Sequence, residues 1–214
     1  NYAAGKADIA LMPSAMVPTL KSTNIITDYC IGASGKVRTV ELFSNVPVQQ
    51  VKRIFLDAHS RTSVQLAGYL AANLWHIEPE WYELVDYSQV AFAQKEDAFL
   101  LIGDKVFDHE GLFNYSYDLS EEWNKATRLP FAFAVWVARK GTPYEYIDAL
   151  QKALTFGVES TWEAIVEVGF DQKHYSAYEY LTQNIDFVFN AEKHAALQKF
   201  WEAGLKVEPR SNPG

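Results

Sequence analysis

The chain has a single cysteine, Cys30, among 214 residues. One thiol makes no internal disulfide, so packing alone must hold the fold, and a reducing compartment suits it. No run of about 18 apolar residues occurs, which excludes a membrane-spanning helix. The opening Asn1-Tyr2-Ala3-Ala4-Gly5-Lys6 lacks the charged and apolar blocks of a signal peptide, and the expected location is the cytoplasm. Positive charge is in short supply. With 19 Lys+Arg against 27 Asp+Glu and a net charge of -8, neither nucleic acid nor an anionic membrane surface is an expected partner. An anionic ligand would have to be held by local groups. Also missing are a Gly-rich phosphate loop after a strand, a G-x-S-x-G elbow and any Cys-x-x-Cys or HExxH spacing. The histidines His59, His76, His109, His174 and His194 therefore suggest no metal site, and Asp108-His109-Glu110-Gly111 reads as a solvated turn.

Apolar residues are plentiful. At 49% hydrophobic and 14% aromatic, the chain can bury the core of one large domain or two small ones. The most telling stretch is Lys52 to Val64. Ile54-Phe55-Leu56 is a continuous apolar run suited to a strand buried on both faces, and Ser60 stands where a helix needs its cap. Val64, Ala67 and Ala71, with Leu66, Leu70 and Leu74, then recur at helical spacing. Such a junction aims backbone N–H groups, the hydroxyls of Ser60, Thr62 and Ser63, and the Arg61 guanidinium beyond the strand end, which outlines an anion site. A well-capped helix with a solvated arginine has the same pattern. His59 flanks the cap, and Asp57 reads as a turn cap more readily than as a base.

In chain order, Ala7 to Met12 reads as a strand, and Ser14 after it caps a helical turn aimed at the same space or serves its own backbone. Cys30 to Lys36 is turn-rich, with Ser34 beside glycines that let backbone approach a ligand. Val37 to Phe43 reads as a strand buried on both faces, Val48 to Val51 as a turn of helix, and Arg61 to Trp75 as a full one. Tyr82 to Tyr87 and Ala98 to Ile102 read as strands around a short helix at Gln89 to Lys95, and Gly103-Asp104 closes the second strand. Strands alternating with helices predict βαβ units and mainly parallel sheets, with a ligand crevice at the carboxyl ends of the strands. Ser14, Ser60 to Ser63 and Gly103-Asp104 all follow strands and are expected to converge there. Beyond them, Ser120 caps a short helix carrying Trp123, and Phe131 to Ala138 is a long apolar strand. The two long strands suggest crossovers between lobes: residues 1–43 with 134–214, and residues 44–133. Thr142-Pro143-Tyr144-Glu145 and Ser176-Ala177-Tyr178-Glu179 read as capping boxes, and Ala191 to Ala203 as a last helix closed by Gly204 before a loose tail from Glu208 to Gly214. Ala3 to Lys6 reads as a helix end, so the first lobe is expected to lack an N-terminal part.

Four stretches carry a family resemblance: Ile31 to Val40, Leu56-Asp57-Ala58-His59-Ser60-Arg61-Thr62-Ser63-Val64, Ala98-Phe99-Leu100-Leu101-Ile102-Gly103-Asp104, and Leu129 to Trp136. In order and spacing they resemble the chorismate dehydratases of the futalosine route to menaquinone, over nearly the whole length. The resemblance implies an α/β fold like that of type 2 periplasmic binding proteins, with two lobes and a cleft between them. It also implies a cytoplasmic hydro-lyase without metal or organic cofactor, turning chorismate into 3-[(1-carboxyvinyl)oxy]benzoate. Ser60 to Ser63 would seat one carboxylate and Ser14 or the backbone around Ser34 the other, with Gly103 and Asp104 lining the site. Two features depart from the family. No serine-tyrosine-leucine-asparagine motif precedes Asn1, so the catalytic residue is not assigned, and Lys36 stands where proline is usual. A non-catalytic cytoplasmic binding protein of the same fold for a small aromatic carboxylate, or the effector domain of a transcription regulator, would share most of this pattern.

Overall fold

A computed structural model describes residues 2, 4–57, 60–169, 176–204 and 206–211. His59, His174 and the tail from residue 212 onward lie outside the described residues. Two sheets organise the fold. The first has the order β1-β8-β2, built from Ile9–Pro13, Phe131–Arg139 and Thr23–Ala33, and is antiparallel throughout. The second has the order β5-β4-β6-β3-β7, from Glu80–Glu83, Arg53–Leu56, Asp97–Ile102, Val40–Ser44 and Tyr115–Asp118. Here β4 runs parallel to β5 and to β6, whereas β3 is antiparallel to β6 and β7. One sheet is thus antiparallel and the other mixed, where mainly parallel sheets were expected. Parallel pairing is confined to the strands joined through a helix, and the short returns at β3 and β7 reverse direction.

The helices are α1 (Arg61–Leu70), α2 (Lys105–His109), α3 (Leu119–Thr127), α4 (Tyr144–Glu159), α5 (Thr161–Val168), α6 (Ala177–Glu179) and α7 (Ala191–Glu202). A π-helical turn, Ala71–Trp75, prolongs α1 and stops at His76 in the left-handed region (φ 53°). Short helical turns occupy Ser14–Thr19, Val48–Gln50 and Tyr87–Phe92. The largest cluster packs Leu42, Ile54, Leu56 and Leu100 against Leu66 and Leu70 of α1. Trp123 of α3 is fully buried in it, its ring against Tyr69, Phe131 and Phe200. These residues come from α1, β8 and α7, so one tryptophan joins elements distant in sequence.

Several local expectations change. The segment at Cys30 to Ala33 is strand, not turn. A Cβ on Gly32 would lie 2.7 Å from the Phe131 carbonyl oxygen, so the glycine serves close approach of β8 to β2. β3 starts only at Val40 and lies in the five-stranded sheet; the chain leaves the three-stranded sheet after Ala33 and returns at Phe131. β7 falls between the Asp108 to Gly111 turn and the helix carrying Trp123, where no strand was expected, because its Tyr and Ser residues sit on a sheet edge. Asp118, not Ser120, caps α3 by accepting from the backbone N–H groups of Ser120 and Glu121. Helix α4 starts on Pro143 with no side-chain cap, whereas Ser176 does cap α6 through the Glu179 N–H.

Candidate functional site

The carboxyl ends of β4, β5 and β6 lie along one edge because the three strands are parallel neighbours. After β4 the chain turns at Asp57 and enters α1 through Ser60. The Ser60 hydroxyl accepts from the Ser63 N–H at 3.2 Å and donates to the Ser63 hydroxyl at 2.6 Å, which fixes both side chains at the helix start. Thr62 and Ser63 are buried. The first-turn N–H groups of Arg61 and Thr62 have no place in the helix ladder and give this end its partial positive charge.

The other sequence-predicted residues distribute unequally around this start. Thr62 accepts from the Ala15 backbone N–H at 3.3 Å, so the turn after β1 meets α1 here. Ser14 does not cap that turn; Pro13 holds the cap position, and the Ser14 hydroxyl donates to the Ala132 carbonyl at 2.7 Å. Trp201 of α7 donates to the Ser14 carbonyl at 2.9 Å and pins the same turn from the far side. The exposed Arg61 side chain reaches the helical turn after β1, with a guanidinium nitrogen 3.2 Å from the Met16 sulfur. It lines a cavity of about 530 Å³ with Val64, Tyr69, Trp201 and Lys206 on the flank of α1, and this cavity also reaches Glu83 at the end of β5. Ser34 is exposed and donates to the Asp186 carboxylate at 2.6 Å, in a network around the buried Lys193. Gly103, at φ 71°, makes the turn after β6 and donates its N–H to the Thr39 carbonyl at 2.8 Å. Thr39 in turn shares a 3.0 Å hydrogen bond with the Tyr180 hydroxyl, which brings the segment after α6 to the Gly103-Asp104 loop.

A cluster that the sequence did not suggest joins the residue after β4 to the residue after Asp104. Asp57 is 1% exposed, and its carboxylate accepts from the Tyr87 hydroxyl and, at 3.2 Å, from the Lys105 ammonium. Lys105 also donates to the Tyr87 hydroxyl and lies 4.0 Å from the centre of its ring. Burial, then the hydrogen bond to Asp57, pushes the Tyr87 phenol up. The Tyr87 contact, followed by Asp57, raises Lys105 and keeps it cationic, while burial works against it. Asp57 thus carries an ion pair, which its reading as a turn cap did not include. The one signal available in sequence was positional, since Asp57, Tyr87 and Lys105 each follow one of three alternating strands.

Comparison with known proteins gives this arrangement a context. A family described as menaquinone biosynthesis matches residues 1–206. A chorismate dehydratase from Thermus thermophilus is 27% identical over 156 residues, covering 64% of this chain and 56% of that protein. The match therefore spans little more than half the length of that relative. Among solved structures, an Archaeoglobus fulgidus protein superposes with a TM-score of 0.66 at 17% identity, over 94% of this chain and 79% of its own. A Candida albicans protein described as having the generic periplasmic binding protein structural fold gives a TM-score of 0.51 at 12% identity, over 96% of this chain and 76% of its own. These likenesses establish a periplasmic-binding-protein-like fold and nothing of the chemistry. With the match running from residue 1 to residue 206, the chain belongs to the menaquinone biosynthesis family.

Proposed function

We propose that this protein is a hydro-lyase that dehydrates chorismate to 3-[(1-carboxyvinyl)oxy]benzoate, acting in the cytoplasm with its ligand between two lobes built on the two sheets. The observation that carries the reading is the β4–α1 start. It gathers the Ser60, Thr62 and Ser63 hydroxyls and the first-turn N–H groups at the carboxyl edge of parallel strands, in a member of the menaquinone biosynthesis family. The name of the Thermus thermophilus relative supports the same choice.

In this reaction a ring C–H bond and the neighbouring ring C–O bond break, a π bond forms between their carbons, and water leaves. Aromatisation drives it, so the protein must bind, orient and stabilise developing charge. The helix start seats one substrate carboxylate, with Gly103 and Asp104 closing the opposite side. Ser14 and Ser34 act from further out, since the hydroxyl of each serves another protein group. A substrate carboxylate held beside the ring proton takes it, which suits an edge rich in hydroxyls. Incubating the full-length protein with chorismate and following the enolpyruvyl benzoate by chromatography tests the reading. Product formation is expected; tight carboxylate binding without product would instead identify a non-catalytic binding protein.

A further inference from the structure

The chain carries a net charge of -8, so its overall field repels a dicarboxylate, and a fixed local cation is needed for the second carboxylate. The helix start answers for one carboxylate only. Adjacent strands lie about 4.8 Å apart, which brings the residues following β4, β5 and β6 within reach of one another. Asp57, Tyr87 and Lys105 occupy those places. Asp57 is buried and tied to the site at its backbone, since its carbonyl accepts from the Ser60 N–H at 3.4 Å. Lys105 sits next to Asp104 in sequence, and its side chain is 42% exposed. A lysine ammonium has three N–H groups, of which Asp57 and Tyr87 engage two. A buried anion that ends β4 and a phenol thus orient a half-exposed cation that follows the Gly103-Asp104 turn by one residue.

We propose that Lys105 is a substrate-binding residue that takes the second carboxylate of the dicarboxylate substrate, with Asp57 and Tyr87 as its positioning residues. The inference rests on the dehydratase reading above. Lys105 contributes binding and specificity for a two-carboxylate ligand, while Asp57 holds the ammonium at a fixed point instead of letting a flexible lysine search.

The test is calorimetric binding of 3-[(1-carboxyvinyl)oxy]benzoate and of benzoate to the full chain, with chorismate turnover measured alongside, for the wild type, Lys105→Met and Lys105→Arg. Lys105→Met is expected to weaken the dicarboxylate about 30-fold while benzoate changes less than about twofold, as for loss of one charge-assisted hydrogen bond. Lys105→Arg should restore most of the loss. Thermal unfolding verifies folding of each variant, and Lys105→Gln replaces Lys105→Met if the latter fails to fold. Unchanged dicarboxylate affinity in a folded Lys105→Met that accompanies an active wild type would overturn the inference and leave the dehydratase reading standing. Equal weakening of both ligands without rescue by arginine would also overturn it, because it marks a cluster that only shapes the fold. A wild type that neither binds nor converts chorismate would sink the dehydratase reading and this inference together.

Discussion

At the scale of single residues, the groups with the most displaced ionisation lie away from the helix start. Glu41 on β3 is buried, and burial, then the nearby Asp118, pushes its carboxyl from 4.5 up to about 7; a hydrogen bond with Ser116 opposes this. A raised acid binds its proton more tightly in the folded chain than in the unfolded one. Stability therefore falls as pH climbs from 4.5 to about 7, and the full penalty is present above that. Glu41→Gln is expected to raise the melting temperature by roughly 3–6 °C at pH 8 and to leave it nearly unchanged at pH 4, as scanning calorimetry at both values would show. The same melting temperature shift at both pH values would rule out ionisation as its cause. Cys30 is the contrary case. Desolvation pushes its thiol up to about 12, and Lys193 only partly offsets this, so the one cysteine is an inert core residue.

At the scale of elements, the β4–α1 junction combines two duties that one residue performs. Ser60 caps α1, and the same hydroxyl orders Ser63 at the proposed carboxylate seat. Ser60→Ala should cost about 1 kcal/mol, seen as a fall of about 2–4 °C in melting temperature. Ser60→Asp separates the duties, since aspartate caps well but repels a carboxylate. It should recover the melting temperature while weakening chorismate binding at least about tenfold. Recovery of both would show that Ser60 matters only as a cap. The strand, cap and helix of the junction were legible in sequence, because a continuous apolar run followed by a cap and a helical repeat is local information; the direction of Arg61 and the pairing of Asp57 were not. Strand β7 was not legible. Its Tyr-Ser-Tyr-Asp pattern is polar, and its pairing with β3 joins residues more than 70 positions apart. Gly32 misled for a related reason: glycine signals a turn in sequence, and only the 2.7 Å approach of the Phe131 carbonyl shows why it stands in a strand.

At the scale of the molecule, the three-stranded sheet is fastened to the C-terminal helix by Lys193, whose side chain is fully buried. Its ammonium pairs with the Asp186 carboxylate at 2.7 Å and donates to the carbonyls of Asp186, at 2.9 Å, and Val188, at 2.5 Å. Ser34 donates to the same carboxylate, and Cys30 and Gly32 of β2 pack alongside. Lys193→Met should cost about 3 kcal/mol, because it takes a buried cation from the carboxylate and two carbonyls at once, leaving the Ser34 hydroxyl and the Val188 N–H as the carboxylate's donors. Denaturant titration reads this as a lower midpoint at constant slope. A loss under about 0.5 kcal/mol would mean that water replaces the ammonium readily. No repeat or motif marks Lys193; in sequence it is an ordinary helical lysine.

Readable from the residue order were the strand and helix periods, the cap at Ser60, the turn at Gly103, the apolar strands at Ile54 to Leu56 and Phe131 to Ala138, and the family resemblance. All of these rest on short-range patterns, in which neighbouring residues share one element. Tertiary structure alone decided the mixed direction of the sheets, the turning of Arg61 and Ser34 toward Met16 and Asp186, and the meeting of Asp57, Tyr87 and Lys105. Those outcomes depend on which strands pair and which side chains find one another across tens of residues. Burial and charge satisfaction select them over the whole chain, and no local window contains that choice.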